Sequence, residues 1–181
     1  MPTSTLTLPN HTIHWLDHLP EPAEANLAWG IATTPLGRIR VTTADHIICA
    51  FDLLEDDRHT APLPTHARHD DPAAQTILDQ VLDDQPHTFT VAPEGTAFQK
   101  AVWHALLSIP HGSTATYADI ARRLGRNPSA ARAVGGAVGS NPIALLIPCH
   151  RVIGTSGQLT GFGWGLQRKE TLLRAEGITL F

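Results

Sequence analysis

Cysteine is scarce in this chain: Cys49 and Cys149 are the only two among 181 residues. Two thiols cannot build a disulfide framework, nor a zinc cage by themselves. A reducing, cytoplasmic home is the simpler expectation. No stretch of about 18 apolar residues occurs, so no membrane-spanning helix is expected. Met1 to Asn10 contains no Lys or Arg and no apolar core, which speaks against a secretory signal. Fourteen Pro and fourteen Gly fall short of low-complexity levels. What is present, with 42% hydrophobic and 17% charged residues, suits one large or two small globular domains. A chain of this length buries roughly two-thirds of its unfolded surface and needs no staple.

The net charge of −4 hides an asymmetry. Residues 1–90 carry four Arg against thirteen acids, while residues 91–181 carry nine Lys or Arg against four acids. A basic half joined to an acidic half fits a polyanion-binding module on a non-binding partner. Two ordinary domains with uneven surfaces fit the same arithmetic.

Residues 1–26 contain Pro and His with little periodicity and read as a loosely packed N-terminal extension. From Leu27 the pattern is β: Ala28–Thr33, Arg38–Thr43 and Ile47–Leu54 are strand candidates. Pro35-Leu36-Gly37 and Ala44-Asp45 are the turns of an antiparallel meander. Glu55 to Asp70, with Pro62 and Pro64, reads as a loop. Asp71-Pro72 then looks like an N-cap with proline at the first helical position, opening a helix to about Asp83. His87–Val91 is a last strand, and Pro93-Glu94-Gly95 a linker. The expected domains are thus 27–92 and 96–181.

The second half reads as helical. Thr96 followed by Gln99 is a capping-box signature. Phe98, Ala101, Val102, Ala105 and Leu106 then share one helical face. Pro110 and Gly112 end that helix. Tyr117–Leu124 is a short helix with Ile120 and Leu124 inward, closed by Gly125. Asn127-Pro128 opens another, running to about Val138. Two helices around a tight turn in the basic half suggest a helix-turn-helix. The second holds Gly135, Gly136 and Gly139, each costing about 1 kcal/mol relative to Ala in a helix. Either something approaches its backbone closely, or it packs tightly against a neighbouring helix. Arg132 is its only charged residue.

The chemistry concentrates in Asn141-Pro-Ile-Ala-Leu-Leu-Ile-Pro-Cys-His-Arg-Val-Ile-Gly154. Pro148 fixes the backbone where an apolar run ends. A free Cys is usually a small buried hydrophobe. Cys149, though, stands beside His150 and Arg151, where positive charge can lower a thiol pKa. Neighbours in an extended segment point to opposite sides, so His150 needs a bridging water or a chain turn to take the thiol proton. It also needs a carboxylate on its far nitrogen, and Glu176 is the distinctive candidate. Otherwise Glu176 is an ordinary surface acid before Gly177.

Ile147-Pro-Cys-His-Arg-Val152, with Gly161-Phe-Gly-Trp-Gly-Leu166 and Glu176-Gly177, closely resembles the O6-alkylguanine-DNA alkyltransferases. The likeness extends to Phe98-Gln99, Ala101-Val102-Trp103, Thr116-Tyr117, Arg132-Ala-Val134, Asn141-Pro142 and Thr34-Pro-Leu-Gly37, and so spans about residue 27 to the C-terminus. It implies an α+β fold. The N-terminal domain would be a small antiparallel sheet with a helix, ribonuclease H-like. The C-terminal domain would be helical, with a winged helix-like helix-turn-helix.

The resemblance also implies roles. Cys149 would be the nucleophile, His150 a water-bridged base held by Glu176, and Asn141 a hinge tying the recognition helix to the active segment. Tyr117 would help rotate the nucleotide and donate to the purine, and Arg132 would fill the vacated stack. Ala131, Gly135 and Arg151 would join Arg132 and Tyr117 against DNA. Pro148, Val152, Gly163 and Trp164 would line the substrate pocket, with the carbonyls of Cys149 and Val152 accepting from the guanine amine. The implied activity is direct reversal: O6-alkylguanine, with O4-alkylthymine, is flipped from duplex DNA and its alkyl group moved irreversibly to Cys149, once per molecule. The implied partner is double-stranded DNA, bound by a monomer in its minor groove, with no cofactor. Some relatives carry a zinc site in the first domain. Here Cys49 is the lone cysteine there and reads as core, so no metal is expected. A non-catalytic helix-turn-helix protein that binds lesions is the alternative, and a Cys-His-Glu hydrolase a further one.

Overall fold

The structure, a computed structural model, describes residues 10–19, 26–54 and 65–179. Its N-terminal half is built on a six-stranded sheet whose strands lie in the order Thr12–Trp15 (β1), Thr88–Val91 (β6), Ile47–Leu53 (β4), Gly37–Ala44 (β3), Leu27–Thr34 (β2) and Arg68–His69 (β5). The expected meander is there: β2 (Leu27–Thr34), β3 (Gly37–Ala44) and β4 (Ile47–Leu53) pair antiparallel. Alternation along β2 puts Ala28, Gly30 and Ala32 inward. Helix α1 (Asp71–Leu82) covers that face with Ala74, Leu78 and Val81. Its N-cap is Asp70, one residue earlier than the sequence suggests, with Asp70 Oδ1 accepting from the Ala73 amide at 3.0 Å.

Two expectations are corrected. Residues 1–26 are not wholly a loose extension, because Thr12–Trp15 form β1, pairing parallel with β6 (Thr88–Val91). His11 fastens this strand: its Nε2 bonds the Val81 carbonyl at 3.0 Å and its Nδ1 accepts the His87 amide at 3.1 Å. Likewise Arg68–His69, inside the expected loop, form β5 and pair parallel with β2. The sheet is therefore mixed, not antiparallel throughout. The rest of that loop, residues 55–64 with Pro62 and Pro64, lies outside the described residues, as do 1–9 and 20–25.

The C-terminal half is helical. Thr96 caps α2 (Ala97–Leu106) through the full capping box with Gln99. Its buried face is Val102, Trp103 and Leu106, while Ala101 is exposed. The face thus turns toward Trp103, whose indole N–H donates to the Ala137 carbonyl at 2.7 Å. The linker must hug that ring: a Cβ on Gly95 would lie 2.5 Å from it. Helix α3 (Tyr117–Arg123) is capped by Thr116 with Asp119, and α4 (Ala131–Gly139) follows a single 3-10 turn, Pro128–Ala130. Both pack on α2 and each other, burying Ile120, Val134, Ala137 and Val138. Strands β7 (Ala115–Thr116) and β8 (Val152–Ile153) pair parallel, and α5 (Leu166–Ala175) closes the fold. The two halves share one core, from Ile39 and Phe51 to Ile147 and Leu172. Among the described residues no helix is long and apolar enough to cross a membrane.

Candidate active site

The apolar run after Asn141 is buried throughout Ile143–Ile147. It forms turns rather than a regular element. It docks on β4 through the Phe51 amide and Pro142 carbonyl at 2.7 Å. Leu145 sits in left-handed backbone, φ 79°, a costly conformation for a branched apolar residue. Pro148, φ −79° and ψ 62°, forms an inverse γ-turn closed by the Cys149 amide on the Ile147 carbonyl at 2.7 Å. Cys149–Arg151 then form one 3-10 turn, not an extended strand. At three residues per turn successive side chains still diverge, so Cys149 and His150 face different directions.

Cys149 is buried, 4% exposed. Burial pushes its thiol up to about 11, against the Asn141 hydrogen bond and the Lys169 charge that favour the thiolate. This corrects the expectation that flanking cations make the thiol acidic. The Arg151 guanidinium is bonded to other groups. It donates to both Glu176 oxygens through Nε at 3.0 and 2.9 Å and to the Ile109 carbonyl at 2.7 Å. Buried and so occupied, Arg151 is a structural cation, and its expected place against DNA is withdrawn.

His150 and Glu176 do meet: His150 Nε2 donates to Oε1 at 2.7 Å, with both side chains at most 1% exposed. Glu176 also accepts the Gly112 amide at 3.1 Å. Burial acts to raise the Glu176 carboxyl, but the bonds and charges of His150 and Arg151 outweigh it and hold it at about 2. Burial, opposed by Glu176, lowers His150 below its ordinary range. A neutral imidazole bound to a carboxylate through Nε2–H keeps a lone pair on Nδ1. That nitrogen is buried with no hydrogen-bond partner among the described residues. A neutral ring in this orientation can accept a proton at Nδ1.

Asn141 Nδ2 donates to the Ile147 carbonyl at 2.9 Å and to Cys149 Sγ at 3.0 Å, and its Oδ1 accepts the Ile143 amide at 3.1 Å. Tyr117 is half-buried, its hydroxyl donating to the carbonyls of Thr160 at 3.0 Å and Gly161 at 3.3 Å. Burial raises its pKa, and the Cys149 charge adds to this, so it stays a donor. Pro148, Val152 and Trp164 are buried near the site, and Gly163 is exposed beside the Gly139 carbonyl. On α4, Arg132 is exposed and Ala131 half-exposed, while a Cβ on Gly135 would meet the Tyr117 ring at 3.7 Å. Cys49 lies apart in β4, its thiol raised to about 11 by burial and by Glu94. Among the described residues no cluster of three His, Cys, Asp or Glu is placed to hold a metal.

One residue of the site goes unremarked in the sequence reading. Lys169, fully buried, donates through Nζ to the carbonyls of Val152, of Thr160 at 2.6 Å and of Gly161 at 3.3 Å. Burial lowers its pKa to about 8, and the Cys149 charge opposes that shift. The signal was its helical phase: it shares a face with Leu172, Leu173 and Glu176, where a lysine is out of place unless it is bonded.

The fold and site define a class: a mixed α/β protein that buries one thiol, Cys149, next in sequence to a buried His150–Glu176 pair. The comparisons narrow it. The family described as "6-O-methylguanine DNA methyltransferase, DNA binding domain" matches residues 97–178. The methylated-DNA–protein-cysteine methyltransferase of Haemophilus influenzae is 41% identical over 152 residues, covering 80% of this chain and 83% of that one. Its Mycobacterium tuberculosis namesake is 42% identical over 148 residues, covering 79% and 88%. The crystal structure of Mycobacterium tuberculosis OGT in complex with DNA aligns with TM-score 0.70 and 37% identity over 83% of this chain and 93% of that one. The chain belongs to the methylated-DNA–protein-cysteine methyltransferase family.

Proposed function

We propose that this protein repairs DNA by taking the alkyl group of O6-alkylguanine, and of O4-alkylthymine, onto Cys149. The observation that carries this reading is the pairing of a buried thiol, bonded by Asn141, with a His150 whose Nδ1 lone pair is left open by Glu176. The resting group is a thiol, so His150 takes its proton, through a bridging water, as sulfur attacks. The sulfur–carbon bond forms as the carbon–O6 bond breaks, and the electron pair goes to the guanine. Asn141 and Lys169 favour the thiolate. Tyr117, released from Thr160, donates to the departing base, where negative charge develops. Arg151, bound to Glu176, keeps the carboxylate ionised. The product is a thioether, which nothing in the site can cleave, so each molecule acts once.

The base must leave the duplex to reach a buried sulfur, at a cost of a few kcal/mol. Helices α3 and α4 serve as a winged helix-like helix-turn-helix in the minor groove, beside a ribonuclease H-like domain. A Cβ on Gly136 or Gly139 would meet nothing within 4 Å, so internal packing does not require these glycines. They leave the backbone open to close approach by DNA. Arg132, exposed on α4, fills the vacated stack and offsets part of the flipping cost. Val152 is the pocket acceptor: its carbonyl binds Lys169 and keeps a second lone pair for the guanine amine. One monomer, in the cytoplasm, acts on each lesion.

The test is an intact mass after incubation with duplex DNA containing O6-methylguanine. One added methyl, mapped to Cys149 and lost in Cys149→Ser with DNA binding kept, is expected. Binding of the lesion without any mass change would mean a non-catalytic sensor. Repeated turnover of an ester or amide would mean a hydrolase.

A further inference from the structure

We propose that Arg168 is a positioning residue through which the N-terminal sheet sets how large an alkyl group the site admits. The inference rests on the proposed transfer to Cys149 and on Trp164 as a wall of the alkyl pocket. Trp164 lies in a loop whose backbone turns through left-handed glycines, Gly157, Gly161 and Gly165. Such a loop has little stiffness of its own. It is held from outside. Tyr117 and Lys169 bind its Thr160 and Gly161 carbonyls. Neither bonds Trp164.

Arg168 does. Its Nη1 donates to the Trp164 carbonyl at 3.0 Å, one helical turn back. Its Nε donates to the Leu36 carbonyl at 2.7 Å, in the turn between β2 and β3. That turn is firm: Leu36 is buried, its amide donates to Thr34 Oγ1 at 3.2 Å, and Thr34 Oγ1 donates to the Gly37 carbonyl at 2.9 Å. A guanidinium is rigid and planar, so two bonds from one head fix two carbonyls relative to each other. The indole is itself buried and set edge-to-face on Phe162, ring centroids 6.2 Å apart. Its backbone is thereby tied to the N-terminal sheet. A wall excludes a bulky group only if it cannot retreat, and Arg168 is what prevents retreat.

The experiment compares single-turnover alkylation of Cys149 by duplex DNA bearing O6-methylguanine or O6-benzylguanine, read by intact mass. Arg168→Met should raise the benzyl-to-methyl rate ratio by about tenfold, the scale on which one pocket contact discriminates. Methyl transfer should stay within about threefold of wild type. Arg168→Lys, which keeps charge and stem but not the fork, should raise the ratio less, and serves alone if Arg168→Met does not fold. Trp164→Gly should raise the ratio, and Arg168→Met should then add nothing, since coupled residues are non-additive. A ratio unchanged in the Arg168 variants, or an Arg168 effect that persists in full without Trp164, overturns the proposal. Failure of the wild type to acquire a methyl would instead remove the transfer reading on which it stands.

Discussion

The side-chain amide of Asn141 lies 3.0 Å from the Cys149 sulfur while also donating to the Ile147 carbonyl at 2.9 Å. One residue thus ties the end of α4 to the active turn, and its hydrogen bond is the strongest influence opposing the rise of the buried thiol. A hydrogen bond to a charged group contributes about 1.5–3 kcal/mol. The thiolate formed during attack is where that contribution falls.

Asn141→Ala should therefore slow methyl transfer by about 10–100-fold. Single-turnover rates on O6-methylguanine DNA measure this directly. A loss below twofold, in a folded protein, would show that the amide serves only the backbone.

Glu176→Gln should lower stability as well as rate. It leaves Arg151 buried without its charge partner, a change worth about 3–5 kcal/mol. In a chain of this size that is a fall of about 6–20 °C in Tm. The pH dependence has a definite sign. The native carboxyl titrates at about 2 against an ordinary 4.5, so the unfolded chain binds the proton first and stability falls as pH drops from 4.5 toward 2. Buried His150, held below its ordinary 6.5, acts in the same direction, starting below pH 6.5. Melts between pH 3 and 7 should show the acid limb flattened in the variant, in about the range where free carboxylates titrate.

The contrast between Glu176 and Arg151 shows where sequence reading stops. Local signals were largely faithful: the Thr96–Gln99 box and the meander around Leu36-Gly37 sit where their short-range chemistry places them, while Asn127-Pro128 opens a 3-10 turn and α4 begins only at Ala131. The His150–Glu176 contact beside Cys149 was legible from residue type and family likeness. Arg151 was misplaced because whether a cation faces DNA or a carboxylate 25 residues away is decided by tertiary packing. Strand β1 was missed for a similar reason. Four residues carry little periodicity, and their partner strand lies more than seventy residues on.

Lys169 gives a prediction with two signs. Its amine titrates at about 8 instead of 10.5, so above pH 8 it loses the charge that faces Cys149. The ratio of wild-type to Lys169→Met transfer rates should fall as pH rises through 8, a comparison that cancels the titration of the thiol itself. The stability contribution runs the other way. Between pH 8 and 10.5 the unfolded lysine still holds its proton, so stability from this group rises. A rate ratio independent of pH would show that Lys169 braces the loop without acting on the sulfur.

Arg132→Ala should weaken flipping more than duplex binding. The side chain is exposed on α4, so its removal leaves the core intact. One phosphate-scale charge lowers the salt slope by about 0.9 unit at most. Transfer from a paired lesion should drop more than transfer from the free alkylated base. Equal loss on both substrates would make Arg132 a fold residue.

The spent protein should be less stable than the fresh one. Cys149 is 4% exposed and belongs to the same apolar cluster as Ile147, Val152 and Trp164. Its sulfur is already in contact with the Asn141 amide. A methyl on that sulfur adds volume to a close-packed site, which costs about 1–3 kcal/mol. It also turns an acceptor that can ionise into a thioether, a weak acceptor that cannot. The Asn141 bond to sulfur is then the first to give, and Asn141 also anchors the Ile143 amide and the Ile147 carbonyl. Strain at Cys149 therefore passes to the end of α4, the helix that carries Arg132. Melting before and after stoichiometric reaction, with the DNA removed, should show a Tm lower by about 2–12 °C, from a few degrees per kcal/mol in a domain of this size. Affinity for undamaged duplex should fall with it, and a benzyl adduct should exaggerate both. An equal or higher Tm after alkylation would show that the pocket holds the methyl without strain, and that release from DNA has another cause.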